Sequence, residues 1–216
     1  MKLLLIGMGP GNGLSIARRF GKEGFEILMV ARSAEKLAEW VSTLSAEGIN
    51  ARAYSSNIAD TSAFSALLGS IVASEGNIDL LHYNASAYNP ARPSEIQLPV
   101  FLDDLNVNIT GALLAAQAVF PAMRDSGNGT MFFTGGGTAF KAPAMLASLG
   151  VGKAGMRNLA FSIAEECAPL GIRVATVTIA GMVQPGTRFD PDNIAEQFWQ
   201  MYQQPKENWT TEVVWE

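Results

Sequence analysis

Strand-length apolar runs alternate with longer helix-length segments along the whole chain, and this alternation constrains the fold more than any other feature. The strand-like runs fall at 3–6, 25–30, 51–54, 78–83, 130–134, 172–178 and 212–215, with helical segments at 13–23, 34–46, 61–75, 101–125, 145–170 and 192–203. Runs that are apolar on both faces read as strands buried on both sides of a parallel sheet. Strands alternating with helices in this way imply a three-layer, doubly wound α/β fold of about seven parallel strands joined by right-handed crossovers. No linker, repeat or low-complexity stretch intervenes, so residues 1–216 read as one domain. Ligands of such sheets sit outside the carboxyl ends of the strands, where the irregular stretches 86–99 and 181–191 fall.

Composition then removes several classes of function. With 15 Lys+Arg against 20 Asp+Glu and a net charge of −5, the chain lacks the basic face needed to neutralise nucleic-acid phosphates. The single cysteine, Cys167, allows no internal disulfide and fits a reducing cytoplasm. One cysteine and one histidine, His82, cannot build a His/Cys zinc site, and no metal is expected. A serine hydrolase would have to use His82, and no Gly-x-Ser-x-Gly elbow is present. No uninterrupted apolar run reaches the roughly 18 residues that span a bilayer, and the apolar run before Gly7 is too short for a secretory signal. These features predict a soluble cytoplasmic protein whose partner is a small molecule rather than nucleic acid or membrane.

The first strand runs into a glycine-rich turn and then a helix: Leu5-Ile6-Gly7-Met8-Gly9-Pro10-Gly11-Asn12-Gly13-Leu14. Glycines let the backbone approach a pyrophosphate, and the helix start offers free N–H groups at a positive dipole end. The spacing Gly7-x-x-x-Gly11-x-Gly13 differs from the commonest dinucleotide fingerprint, Gly-x-Gly-x-x-Gly. After the second strand, where an acid would hold the ribose hydroxyls of NAD, stand Arg32 and Ser33. A guanidinium beside a hydroxyl suits the additional phosphate of NADP, so NADP is expected in preference to NAD.

At this point the chain resembles the short-chain dehydrogenase/reductase family, nearly from end to end. The glycine loop resembles that family's cofactor motif. Asn57-Ile58 stands where an acid and an aliphatic residue frame the adenine, and Tyr83-Asn84-Ala85-Ser86 is similar to the Asn-Asn-Ala-Gly motif. Asn106-Val107-Asn108-Ile109 matches the helix segment whose second asparagine belongs to the active site, and Gly171-Ile172-Arg173-Val174 resembles the run into the sixth strand. Ala180-Gly181-Met182-Val183 stands where Pro-Gly-x-Val meets the nicotinamide. The resemblance implies a Rossmann-type fold, with Gly7, Gly11, Asn12, Gly13, Leu14, Arg32, Ser33, Asn57, Ile58, Asn84, Ala85, Ser86, Lys153, Gly181 and Val183 about the cofactor.

The reactive site departs from the pattern. The family uses a Tyr-x-x-x-Lys pair with a serine about a dozen residues earlier: a phenol tuned by a nearby ammonium, and a hydroxyl on the substrate oxygen. Lys153 matches the lysine, whereas the tyrosine position is Leu149 and the serine position Gly136. The longer spacing of the family's enoyl reductases, which the local sequence resembles, puts Leu146 at the phenol position. None of the four tyrosines (Tyr54, Tyr83, Tyr88, Tyr202) falls nearby in sequence. Asn108 and Lys153 therefore remain as the catalytic candidates, with Lys153 expected on the nicotinamide ribose. Tyr88, Thr138 and Lys141 are weighed as substitute acids. His82 and Cys167 read as core residues, and Ser148 as a helix-start residue pointing off the active face.

Two readings stand at this stage. One is an NADP-dependent oxidoreductase, transferring hydride to or from a small substrate with a non-standard proton donor. The other is a catalytically silent NADP-binding sensor or assembly protein. The short carboxyl-terminal region leaves little chain for a substrate lid, and its Phe198, Trp199, Tyr202, Trp209 and Trp215 read first as packing against the sheet edge. The segment 101–125 is too apolar for a helix with one fully wet face. With the family resemblance, it implies a homodimer or homotetramer paired through segments 101–125 and 145–170.

Overall fold

The computed structural model describes residues 1–141 and 143–216. Seven strands form one wholly parallel sheet: β1 (Lys2–Ile6), β2 (Glu26–Ala31), β3 (Ala51–Ser55), β4 (Leu80–Tyr83), β5 (Gly129–Gly136), β6 (Ile172–Ile179) and β7 (Glu212–Trp215). Their order is 3-2-1-4-5-6-7, so the winding reverses between β1 and β4, and a crevice opens above that junction. The doubly wound Rossmann-type architecture expected from the sequence is the one observed.

The period-2 geometry of the strands divides the core in two. Leu4, Ile6, Leu28, Val30, Leu81, Met131 and Phe133 face one layer, which holds α3 (Thr61–Glu75), α5 (Gly111–Ser126) and α6 (Ala147–Cys167). Leu3, Leu5, Ile27, Met29, Leu80 and Phe132 face the other, which holds α1 (Asn12–Gly21), α2 (Ala34–Ala46) and α7 (Pro191–Tyr202). Each fully buried aliphatic or aromatic side chain adds about 1.5–3 kcal/mol before conformational entropy is charged against it.

Helix ends follow local chemistry. Ser33 caps α2 by accepting from the Lys36 N–H, Asp60 caps α3 from Ala63, and Gly127 ends α5 in the left-handed region. The carboxyl-terminal aromatics pack as expected. Trp199 and Tyr202 meet Phe20 edge-on, Phe198 is fully buried, and the Trp209 indole N–H donates to the Val174 carbonyl.

Several details differ from the sequence expectation. The strand expected at 130–134 extends to Gly136, and the helix expected from residue 145 starts at Ala147. The segment 101–125 is not one regular helix. It begins as α4 (Leu98–Leu105), widens into a π turn (Asn106–Thr110) and continues as α5. Such a turn inserts one residue without breaking the rod, and hydrophobic periodicity does not register it. The composite Leu98–Ser126 is long and apolar enough by composition to cross a bilayer, although its apolar residues are not uninterrupted. Its Ala112, Ala115, Ala116, Val119 and Met123 are buried against the sheet.

Candidate functional site

The glycine-rich turn leaves β1 at Gly7, whose φ of +92° favours glycine and whose position admits no side chain. A Cβ there would lie 2.3 Å from the Ala85 backbone nitrogen. A Cβ on Gly13 would meet the Gly7 carbonyl at 3.1 Å, whereas Gly9 and Gly11 face open space. The first turn of α1 has neither a side-chain cap nor an acid, so the Asn12 and Gly13 N–H groups stay available to an anion. The Asn12 Oδ1 is buried there without a partner among the described residues. Leu14 is drawn into the turn: its N–H donates to the Gly9 and Gly11 carbonyls, and its side chain packs on the core.

Two adjoining hollows form the crevice. One, of about 690 Å³, holds Gly7, Arg32, Asn57, Ile58 and Ala85. The other, of about 930 Å³, holds Gly11, Asn12, Gly13, Lys153, Gly181 and Val183. Asn84, Ser86 and Tyr88 line both. Of the expected cofactor residues, only Leu14 and Ser33 line neither, because Ser33 spends its oxygen capping α2. Arg32 is exposed, and among the described residues no carboxylate pairs with it.

Lys153 reaches in from α6, only 7% exposed, and its Nζ donates to the Thr134 carbonyl at 2.7 Å. Burial pulls its ammonium down to about 8. Leu149, one turn earlier, lines the same hollow, as does Gly136, where a Cβ would lie 3.5 Å from the Lys153 stem. Leu146 lies outside both hollows, at the start of α6. Tyr88, Thr138 and Lys141 all line the larger hollow, and Tyr88 is half exposed.

Asn108 does not line the crevice. It sits in the π turn at 1% exposure, donates to the Ala87 carbonyl and accepts from the Ala87 N–H and the Ser86 hydroxyl. These amide bonds fix the loop after β4. A Cβ on Gly152 would lie 2.6 Å from the Asn108 Cβ, so glycine lets α6 approach.

Two supports of the crevice were not foreseen. Asp104, 2% exposed, accepts from the Ser148 hydroxyl at 2.6 Å and from the backbone and side-chain N–H groups of Asn89, both at 2.9 Å. Ser148 is thus a buried tie between α4 and α6, beyond its helix-start role. Tyr83, at the end of β4, donates its hydroxyl to the Val107 carbonyl inside the π turn, and burial raises its phenol well above the usual range. A polar atom within an apolar stretch was the only sequence signal for either. Cys167 is fully buried as a free thiol, raised to about 11 by burial, and His82 is fully buried in β4; both were expected in the core.

The short chain dehydrogenase family model matches residues 2–193. The chain is similar to oxidoreductase asL5 of Sarocladium schorii, 26% identical over 201 residues that cover 93% of this chain and 78% of that one. It is also similar to dehydrogenase/reductase SDR family member 4 of Homo sapiens, 28% identical over 166 residues, 76% of this chain but only 59% of the human protein's length. Among solved structures, a metagenomic short-chain oxidoreductase in complex with NADP superposes with a TM-score of 0.91 at 24% identity, covering 99% of this chain and 96% of that one. A short-chain dehydrogenase from Rhodopseudomonas palustris gives 0.88 at 29%, with the same coverage. The parallel sheet, the glycine turn at its switch point and the match along most of the sequence agree: the chain belongs to the short-chain dehydrogenase/reductase family of NAD(P)-dependent oxidoreductases.

Proposed function

We propose that the chain binds NADP(H) in preference to NAD(H) and transfers hydride between it and a small-molecule substrate, without the helix-borne phenol and strand-end hydroxyl usual in the family. One observation carries this reading. The crevice holding the glycine-rich turn also holds the buried Lys153, yet it presents Leu149 one turn before that lysine and only a glycine, Gly136, opposite its stem. An NADP complex of a structural neighbour, and relatives named oxidoreductase and dehydrogenase/reductase, support the cofactor and the reaction class.

The residues fit the dinucleotide. The free N–H groups at the start of α1, with Gly11, Asn12 and Gly13, suit its pyrophosphate. Arg32 suits the 2′-phosphate; Asn57, Ile58 and Ala85 suit the adenine end, and Asn84, Ser86, Gly181 and Val183 the other. When bound, the cofactor supplies or accepts hydride. Lys153 suits the ribose hydroxyls beside that centre, while Asn108 acts at one remove, as a positioning residue holding Ser86 and Ala87.

A carbonyl accepting hydride develops negative charge on oxygen, and general acid assistance to it is worth about 10²–10⁴-fold. Leu149 and Gly136 supply none, so the reading favours activated substrates, with solvent, Tyr88, Thr138 or Lys141 handling the proton. It extends to a homodimer or homotetramer, supported by Leu113, Val151 and Phe161 exposed on α5 and α6, and to the cytoplasm, supported by the single buried thiol. The test is fluorescence titration with NADPH and NADH, followed by NADPH oxidation over activated and unactivated carbonyls. Tight NADPH binding with turnover of activated substrates is the expected result. Binding without any turnover favours the silent NADP-binding protein, and no binding overturns both.

A further inference from the structure

The single histidine lies beneath the crevice, at the head of a hydrogen-bonded chain whose direction can be worked out. The His82 Nε2 lies 3.0 Å from the Thr134 Oγ1, which lies 2.9 Å from the Asn84 Oδ1; the Asn84 Nδ2 donates to the Gly7 carbonyl at 2.8 Å. The amide is oriented by that last bond, since a carbonyl can only accept. Its Oδ1 therefore accepts from Thr134, and the hydroxyl has a single proton to give. The only role left to the Thr134 oxygen toward His82 is acceptor, so Nε2 must carry a proton.

The rest of the ring's surroundings agree. His82 is fully buried, packs tilted by 60° against Phe198 with centroids 4.2 Å apart and meets Phe132 edge-on, and its Nδ1 has no partner among the described residues. Burial pushes the imidazole down to about 3, so the ring is neutral and holds one N–H. Asn84 and Thr134 line the crevice, while the far end of the chain is the Gly7 carbonyl, where the glycine-rich turn begins.

We infer that His82 is a positioning residue of the cofactor crevice: its Nε2–H fixes the Thr134 hydroxyl, which orients the Asn84 amide that ties the glycine-rich turn to the end of β4. This rests on the reading of the crevice as an NADP(H) site. The bond polarises those beyond it, so removing the donor loosens the turn at Gly7, although His82 does not line the crevice.

His82 is the chain's only histidine, so a ¹⁵N ring spectrum of the native protein reports it without assignment. The expected result is a neutral ring protonated at Nε2 at about pH 6, below the ordinary imidazole midpoint. A ring protonated at Nδ1, or doubly protonated there, overturns the inference even if no variant folds. NADPH titration of native protein, His82→Leu and His82→Gln is the second arm. Loss of one hydrogen bond corresponds to about fivefold weaker binding in His82→Leu. His82→Gln, whose amide N–H reaches toward the Nε2 position, should recover most of it, and Thr134→Val added to His82→Leu should weaken binding no further. A merely structural histidine would lower stability in both variants without this rescue or this non-additivity, and that outcome overturns the role. Native protein that binds no NADPH overturns the proposed function itself, and this role with it.

Discussion

Leu149 and Lys153 stand one turn apart on α6 and line the same hollow, one with a side chain of carbon alone, the other buried with its Nζ 2.7 Å from the Thr134 carbonyl. The lysine enters the crevice beside a position that is apolar. An ammonium withdrawn from water for a single carbonyl partner is costly, and that cost makes it measurable.

The first expectation concerns pH. Burial lowers Lys153 to about 8 from its ordinary 10.5. Between those values the unfolded chain holds a proton that the native state has released, so native stability rises with pH across that window. Below it both states are charged and the penalty is felt in full. Lys153→Met keeps most of the stem and removes the titration. Chemical denaturation at about pH 7.5 and again near 9.5 should show the native protein gaining on the variant as pH rises. A difference unchanged by pH would mean that the ammonium is solvated.

Arg32 sets the cofactor expectation. It lines the smaller hollow beyond β2, exposed and without a carboxylate partner among the described residues. A charge-assisted contact to the 2′-phosphate is worth about 1.5–3 kcal/mol, so Arg32→Asp should weaken NADPH binding at least about tenfold. Binding of NADH should hold or improve. Fluorescence titration of both nucleotides checks this, and equal native affinity for the two would refute the NADP preference.

Asp104 carries the stability expectation. Its carboxylate accepts from Ser148 and twice from Asn89, joining α4, α6 and the loop after β4. Asp104→Leu leaves the buried Ser148 hydroxyl unpaired while the exposed Asn89 can turn to water, so an overall loss of about 1–3 kcal/mol is expected. Asp104→Asn retains one acceptor and should lose less. Denaturant midpoints decide, and a leucine variant as stable as the native chain would show that water satisfies these groups.

How much of this the sequence disclosed depends on the range of the interaction. The strands were legible because double-sided burial writes itself as unbroken apolar runs such as Leu3-Leu4-Leu5-Ile6, and the glycine turn because Gly7 and Gly13 answer to backbone crowding. Lys153, Leu149 and Gly136 were placed by the family resemblance and its motif spacing, and all three line one hollow. Asp104 with Ser148 was not legible, since the partners lie 44 residues apart and either alone reads as an ordinary polar helix residue. The π turn escaped for a different reason: one inserted residue changes which face Asn108 occupies without altering composition or average period. Asn108 thus kept its expected place in the sequence but was turned from the crevice to the loop beside it.

The last expectation tests whether a hydroxyl and a phenol beside Lys153 suffice to speed carbonyl reduction. Gly136 has room: a Cβ there meets the Lys153 stem at 3.5 Å, ordinary contact, with no backbone atom nearer. Leu149 is half-buried at the edge of the hollow, one turn from an ammonium held near 8, the neighbour that favours ionisation of a phenol. Gly136→Ser with Leu149→Tyr would therefore place a hydroxyl and a tunable phenol beside a lysine already in position. If the rest of the crevice binds NADPH as proposed, carbonyl reduction by the double variant should rise by up to about 10²–10⁴-fold over the native chain, the range of general acid assistance. Leu146→Tyr, outside both hollows, should give no such gain. Steady-state NADPH oxidation over a panel of aldehydes and ketones, with cofactor binding confirmed for every variant, is the measurement. Brisk native turnover of unactivated ketones that survives replacement of Tyr88, Thr138 and Lys141 in turn would place the proton donor elsewhere and refute this account of the site.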